Sequence, residues 1–305
     1  SFKTAASEAA AEKMSLSSAG VLTVSSTITA DSKDVILGKN EGTNFTDSLL
    51  VGHATTGTLD AATENTGVGI DTLLAVTSGD YNTAVGFGTL QLNTTGQKNT
   101  VVGSKAGYSM NNGQANTLIG REAGTALTSN AADNVAVGRL SLASAQNVGF
   151  NTAIGSFSGQ NITGIRNVTV GTNSGDNITS GNGNLILGGL DADSATGDRQ
   201  LKIGAYDGTT TTTWIDGDSS GKVTLAGALQ VSGVVTVGVD DTGLDVKLFG
   251  ASAGAYMEWD ESIDTLRIVG ASADATTSTG KLLLATSLTD INANDVIGKI
   301  DFQAP

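Results

Sequence analysis

The chain has 305 residues with 41 glycines, one proline, no cysteine and 4% aromatic residues, and it carries a formal net charge of −14. No disulfide framework or thiolate metal site can form without cysteine, and a conventional single-core globule of this size would use more large apolar side chains. The scattered Lys and Arg argue against a nucleic-acid partner or an anionic membrane surface, and no apolar run of 18 residues offers membrane insertion.

Neither end resembles a signal peptide. The chain begins without Met and stops at Gln303-Ala304-Pro305, and it is expected to be a segment of a longer polypeptide.

Residues 1–33 form a first module. The Ala/Glu run from Ala5 to Lys13 has helix-forming residues but is marginal in length for an isolated helix. The phrase Met14 to Val24, broken by Ser18-Ala19-Gly20, reads as strand, turn, strand. A β-hairpin is the expectation.

Residues 34–204 carry a repeat of the type Asn-Thr-x-(Val/Ile)-Gly. It begins at Asn65, Asn82, Asn99, Asn116, Asn134, Asn151, Asn167 and Asn184, with looser copies at Asp34 and Ser48, a step of about 17 residues. After the motif glycine comes a small residue (Thr72, Thr89, Ala106, Ala123, Ser141, Ser158, Ser174), then Leu or Gly, then a polar stretch. Each unit reads as strand, sharp turn, short strand, loop.

That length is too short for a strand, a crossover helix and a return, but it suffices for one coil of a β-solenoid. The expected fold is all-β, a parallel β-roll or solenoid of about 17-residue coils flanked by small β-hairpin modules.

Alternation along Thr83-Ala84-Val85 divides the strand into two faces. The Val85 position is always Val, Ile or Leu, so Val85, Val102, Ile119, Val137 and Ile154 are expected to form the coil interior. The middle position is also mostly apolar or small. On the face opposite, Val101, Leu118 and Ile186 then need cover from outside the coil, and another copy of the chain is the expected cover. The asparagine column has two structural readings, a hydrogen-bonded amide ladder or a row of left-handed corners, and one functional reading, a carbohydrate-binding array; a structural column is expected.

Residues 205–230 form a connector in which Trp214 to Leu225 repeats the strand-turn-strand phrase. Residues 231–305 form a β-rich module with short runs at Val234–Val239, Leu244–Phe249, Tyr256–Trp259, Thr265–Val269, Lys281–Ala285 and Val296–Phe302. Trp259 is expected to sit at the core of this module.

The Asn-Thr-Ala-Val-Gly repeat resembles the head repeats of YadA-type trimeric autotransporter adhesins, and still more the longer versions in tail-fibre proteins of tailed bacteriophages. The phrases Glu12 to Val21, Ile215 to Val223, Tyr256 to Asp260 and Gly298 to Pro305 are similar to elements of such fibres, those of marine phages above all. The resemblance implies a left-handed parallel β-roll, a parallel homotrimer, contact with other virion tail or fibre proteins, and a place in an extracellular virion fibre that attaches to host glycan or protein. Two departures stand out. The repeat is mostly 17 residues rather than the 14 seen only between Asp34 and Ser48, and no membrane anchor or intramolecular chaperone domain is visible.

Catalysis finds little support in the residues, and no cofactor is expected. The single histidine, His53, follows a motif glycine and is expected in an exposed turn. Asp191 with Asp193, Asp240 with Asp241, and Glu258, Asp260 and Glu261 are acid groupings of a kind that cleaves glycosides when correctly spaced; solvated turns are the default. Asp216-x-Asp218-x-Ser220-Gly221 begins like a calcium loop but has Gly227 where a bidentate Glu is required, so no metal is expected there. The sequons at Asn44, Asn93, Asn161, Asn167 and Asn177 follow from composition.

A structural and adhesive phage tail-fibre segment without enzymatic activity is therefore the leading expectation. The head of a bacterial trimeric adhesin and a glycan-degrading tailspike are the alternatives. The loops expected to meet a receptor are Asn93–Gly96 and Asn111–Gly113.

Overall fold

The computed structural model of the chain describes residues 14–16, 22–24, 38–42, 44–52, 56–146, 148–237, 244–263, 265–271, 280 and 282. Strand β1 (Met14–Leu16) pairs antiparallel with β2 (Leu22–Val24) across the Ser-Ala-Gly segment, the hairpin expected. The Ala/Glu run before it lies outside the described residues.

The repeat builds a parallel solenoid. Antiparallel β3 (Gly38–Gly42) and β4 (Phe45–Val51) open it, with β5 (Ala62–Thr63) beside β4. One short strand per repeat then follows: β6 (Thr66–Val68), β7 (Thr83–Val85), β8 (Thr100–Val102), β9 (Thr117–Ile119), β10 (Val135–Val137), β11 (Thr152–Ile154), β12 (Val168–Val170) and β13 (Leu185–Leu187). Each pairs in parallel with the next, from β4 through β6 to β14 (Leu201–Tyr206). Nine steps of ~4.8 Å make a stack about 43 Å long. Antiparallel β15 (Thr211–Gly217) and β16 (Val223–Leu225) continue the sheet after β14, so hairpins close both ends of the parallel stack and protect its edges.

The second strand expected in each coil is replaced by a turn. Two backbone features produce it. The motif glycine adopts φ between +131° and +141° from Gly69 to Gly171, a region closed to residues with a Cβ. Moreover, a Cβ on Gly86 would stand 2.8 Å from the carbonyl of Gly103 in the next coil. The strand therefore ends after three residues, and the chain passes through left-handed positions such as Lys105, Glu122 and Leu90.

The strand faces are the reverse of the expectation from sequence. The middle residues Leu50, Gly67, Ala84, Val101, Leu118, Ala136, Ala153, Thr169 and Ile186 are buried inside the coil. Val68, Val85, Val102, Ile119 and Ile154 are instead 36–40% exposed and point outward, while Val137 is half-buried in the same column. Val101, Leu118 and Ile186 are thus core residues. A constantly branched apolar column is therefore no sign of burial in this repeat.

A feature of the interior shows why. Three buried columns share its volume: the middle strand residue, the left-handed turn residue, and the residue three places later. Where the turn residue is Leu, its later companion is Val76, Asn93 or Ala145; where it is Gly, the companion is Met110, Leu127, Ile162 or Ile178. The substitution is steric, because a Cβ on Gly124 would come within 2.7 Å of Leu127, and one on Gly159 within 2.7 Å of Ile162. The strand residue follows suit in most coils, small with Leu (Gly67, Ala84, Ala136) and larger with Gly (Val101, Leu118, Thr169). A close-packed interior tolerates variation only when volume is conserved across contacts.

The asparagines form a ladder. Asn82 Nδ2 donates to Asn65 Oδ1 at 3.0 Å, Asn99 to Asn82 at 2.9 Å, and the series runs through Asn116, Asn134, Asn151 and Asn167 to Asn184. Each Oδ1 also accepts the next backbone N–H, as Asn65 Oδ1 does from Asn82 at 3.1 Å. The second amide hydrogen goes to a loop carbonyl, such as Gly79, Gly96 or Gly113. Left-handed geometry falls on the residue before each Asn, including Glu64, Tyr81, Lys98, Phe150 and Arg166, so of the two structural readings the ladder is the one found.

Residues 229–305 make up a second compact unit. Its described strands are β17 (Val246–Phe249), β18 (Tyr256–Asp260) and β19 (Thr265–Val269), an antiparallel meander with a 3-10 turn at Glu261–Ile263. Residues 234–237 are described but form no strand. Lys281–Ala285, apart from Leu282, and Val296–Phe302 lie outside the described residues. Trp259 is 42% exposed rather than a core residue.

Asn116→Ala tests the ladder. The change deprives the backbone and side chain of Asn134 of their acceptor and removes a donor to Asn99. With unsatisfied buried groups costing about 1–3 kcal/mol each, a loss on the order of 2–5 kcal/mol is expected in denaturant unfolding. Accelerated amide exchange should centre on β8 to β10.

Candidate functional site

The outward face of the solenoid is built from the ends of the repeat. Thr66, Thr83, Thr100 and Thr117 stand beside the exposed Val/Ile column in register. One rim consists of the left-handed residue before each Asn and the other of the two residues after each motif glycine.

All six Lys and Arg between residues 66 and 200 fall on these rims: Lys98, Arg166 and Arg199 on one, Lys105, Arg121 and Arg139 on the other. Aromatic residues join them. The Arg139 guanidinium lies 4.2 Å from the centre of the Phe157 ring, and that of Arg166 lies 5.2 Å from Phe150. Phe87 and Tyr81 are half exposed nearby in the repeat. Arg121 is paired with Glu122 at 2.7 Å. The face is thus a flat Thr/Val surface bordered by cations and rings, of which Arg and the aromatic residues are types enriched at protein interfaces.

The acid groupings separate into three environments. Asp191 and Asp193 line a cavity of about 500 Å³ with Asp176, Lys202, Tyr206 and Thr211. Lys202 on β14 reaches Asp193 at 2.5 Å. Asp176 stacks near Asp191 because Gly175 N–H donates to the Leu190 carbonyl at 2.7 Å, aligning the two loops, and Asn177 exchanges two hydrogen bonds with Ala192 at 2.7 and 3.0 Å. Burial, then a hydrogen bond to Asp191 and that residue's charge, push the Asp176 carboxyl up to about 6. Carboxyls in hydrogen-bond contact are closer than the ~5 Å of a retaining glycosidase pair.

The second environment is the C-terminal sheet. Buried Glu258 accepts from Lys247 at 3.0 Å and Arg267 at 3.3 Å, and Arg267 also reaches Asp260 at 3.5 Å. A hydrogen bond from Ser262 is the main cause that lowers the Asp260 carboxyl below its ordinary value. Glu261 uses its backbone N–H to bond Asp245.

The third is the Asp216–Gly221 phrase. Asp216 lies on β15 opposite Lys202 and Thr224, whereas Asp218 accepts from the Ser220 hydroxyl and from the backbone N–H of Ser220 and Lys222. Those bonds hold its carboxyl low and close an ordinary Asx turn. Among the described residues, no three His, Cys, Asp or Glu side chains are grouped to hold a metal. His53 and the pair Asp240 and Asp241 lie outside the described residues.

The loops expected to face a receptor are partly inverted. Asn93 and Gly96 are buried, with Asn93 Oδ1 accepting from Gly96 N–H at 2.7 Å, and Gly113 is buried too. Thr95 and Asn111 are the exposed residues of those stretches. Of the sequon asparagines, Asn167 belongs to the buried ladder. Sequence reasoning missed Asp176, whose signal was its place one step after Gly175 in the repeat. It also missed the rims, although the positions of the cations relative to Asn and Gly were legible.

Compared with known proteins, the chain matches no family model, no curated protein and no solved structure.

The Asp176–Asp191 contact predicts a pH dependence. Because the folded value of Asp176 lies above its ordinary 3.8, the stabilisation it gives is fully present below about pH 4 and is lost as pH rises through about 6. Asp191→Asn removes the facing charge, so the Asp176 carboxyl should titrate lower and the fall in stability between pH 4 and 6 should flatten. Carboxyl-carbon NMR titration and urea midpoints across that range measure both.

Proposed function

We propose that the solenoid is a self-assembling segment of a phage tail fibre, a parallel homotrimer that contributes to host attachment on the virion and performs no catalysis itself. The observation that carries this reading is the outward column of Val68, Val85, Val102, Ile119 and Ile154, uniformly branched and apolar yet exposed in the single chain. Interior positions vary with their neighbours' volumes, but nothing inside the coil constrains this column. Its uniformity is accounted for by a partner outside the chain.

A second copy fits that role. The stack is about 43 Å long, and the face with its rims is roughly 20 Å wide, giving on the order of 850 Å², near the ~800 Å² per partner of a stable interface. Parallel chains in one register would set Val opposite Val along the whole length. They would also lay the cation-bearing rims along the seams between chains, where Arg and aromatic side chains are favoured. The capped rod and the resemblance of the Asn-Thr-x-Val-Gly repeat to fibre proteins support the fibre assignment. Host-surface glycan or protein would then meet repeated loops, three to a level, and gain avidity without a strong single site.

Two substitutions separate interface from core. Val102→Asp places a charge in the apolar column and should convert the sedimenting species to a monomer while the circular dichroism of the β-fold persists. Leu118→Asp buries a charge inside the coil, where it has no partner, and should unfold the neighbouring coils. A wild-type protein that sediments as a monomer at every concentration overturns the assembly reading. Host polysaccharide incubated with the assembled protein should keep its chain length; reproducible cleavage lost on changing Asp176 or Asp191 would move the protein to the enzyme class.

A further inference from the structure

From Gly69 to Gly171 each motif glycine is followed by a residue with a side chain, such as Phe87, Arg121, Arg139 or Thr172, but Gly188 is followed by a second glycine, Gly189. The last coil therefore lacks a side chain that every coil before it in that span carries. A Cβ on Gly189 would stand 3.1 Å from the Thr172 carbonyl oxygen and 3.5 Å from the Tyr206 Cβ, so the omission leaves space between two stacked loops and the β14–β15 hairpin. Strand β14 has six residues where the coil strands have three, and its extra length brings Tyr206 to the wall of that space, with Thr211 and Thr213 of β15 beside it. The result is the cavity of about 500 Å³, within the ~300–1,000 Å³ of small-molecule sites.

The aromatic wall is held in place. The Tyr206 hydroxyl donates to the Gly208 carbonyl at 2.8 Å, and Asp207 Oδ1 accepts from the N–H groups of Thr209 and Thr210 at 2.8 and 2.7 Å, which fixes the ring to its own turn. Its remaining surface stays open, for the residue is 53% exposed. A ring anchored in this way offers a flat apolar face to whatever enters the cavity.

The other groups select the ligand by exclusion. An anion would meet three carboxyls and a single ammonium, Lys202, already paired with Asp193. An organic cation would meet that same ammonium, which is only 14% exposed, while Asp176 and Asp191 share a proton up to about pH 6 and so present less charge than two free carboxylates. A metal ion would lack ligands, since no three acid side chains among the described residues are grouped to hold one. An apolar ligand finds Leu190 and Ala192 already buried. What remains is a neutral molecule with hydroxyls, each able to donate and accept, and one C–H face to lie on the ring. A pyranose combines the two.

We propose that the cavity between the last coil and the β14–β15 hairpin binds one sugar residue, with Tyr206 against the ring and Asp191, Lys202 and Asn173 bonding its hydroxyls. The proposal deepens the attachment reading above and rests on it for the source of the sugar, a surface glycan. It adds one defined site per chain to the weak contacts of the repeated loops.

Saturation-transfer NMR on the full chain, with the methyl glycosides of glucose, galactose, mannose and N-acetylglucosamine as probes, reads the site directly; n-butylammonium and acetate serve as the cationic and anionic probes. At least one glycoside should receive transfer at its ring protons, and neither ion should. Gly189→Phe supplies the side chain that Phe87 provides in an earlier coil and should abolish the signal. Tyr206→Ala changes an exposed ring and should weaken binding about tenfold or more with the circular dichroism unaltered, so the test survives if the glycine variant folds poorly. Val102→Asp should keep the binding, because every lining residue belongs to one chain. Sedimentation thus tests assembly, and the glycoside signal tests the cavity. No transfer to any of the four glycosides, transfer to n-butylammonium in their place, transfer that survives both cavity substitutions, or transfer that vanishes in Val102→Asp overturns the proposal and leaves the self-assembly reading standing.

Discussion

The buried amide column sets the geometry to which the rest of the solenoid conforms. An asparagine side chain has two donors and an oxygen able to accept twice, and from Asn82 to Asn167 all of these are used: up to the preceding oxygen, across to a loop carbonyl, and down to the next backbone and side chain. A buried amide that lost one of these bonds would be unsatisfied, so the column enforces both the spacing of the coils and the path of the loop beside it. The repeat length can slip, to 18 residues between Asn116 and Asn134 and 16 between Asn151 and Asn167, and the ladder continues unbroken. Slips are absorbed in the loops. The column ends as its chemistry requires, with the Ser48 hydroxyl accepting at one end and Gln200 donating to Asn184 while its own oxygen accepts from Ser194 at the other.

With the spacing fixed, each coil solves a small packing problem. The strand residue, the turn residue and the residue three places later divide a nearly constant volume, and Leu90 with Asn93 or Gly124 with Leu127 are alternative divisions. A globular core would spread this adjustment over many neighbours. In a thin coil only the same coil and its two stacked neighbours are available, which makes the compensation local and visible in adjacent columns. The outward Val column is free of that requirement, because its side chains leave the coil.

Charge follows the same division. Cations gather on the rims of the outward face, where αL positions and the post-glycine corner project long side chains away from the packed coil. Acids dominate the last coil, where Asp176 and Asp191 meet because the turn after Gly188, one residue shorter, brings Leu190 over the position that Ser174 holds one coil earlier. The C-terminal sheet repeats the theme on a smaller scale, with its ions collected on one face beside Phe249, Tyr256 and Val269, and Leu248, Met257, Trp259, Leu266 and Ile268 on the other.

The sequence by itself determined the architecture. A 17-residue period with a glycine after every third strand position leaves room for one coil and no helix, and the asparagine of each repeat had only to stack to form its ladder. The N-terminal hairpin and three of the C-terminal strands were legible from β-rich runs and turn residues. Which strand face points inward was decided by the tertiary structure. Alternation sorts Thr83 and Val85 from Ala84 but assigns neither set to the core, because period two is symmetric between the faces. Constancy at Val85 does not mark burial, whereas the reciprocal variation of Leu90 with Asn93 and of Gly124 with Leu127 marks contact across the interior. The Asp176–Asp191 meeting and the bare Trp259 face likewise depended on tertiary structure. The first needs the register of two coils of unequal length, and the second needs to be known as a face with no cover among the described residues; neither is a property of any one segment.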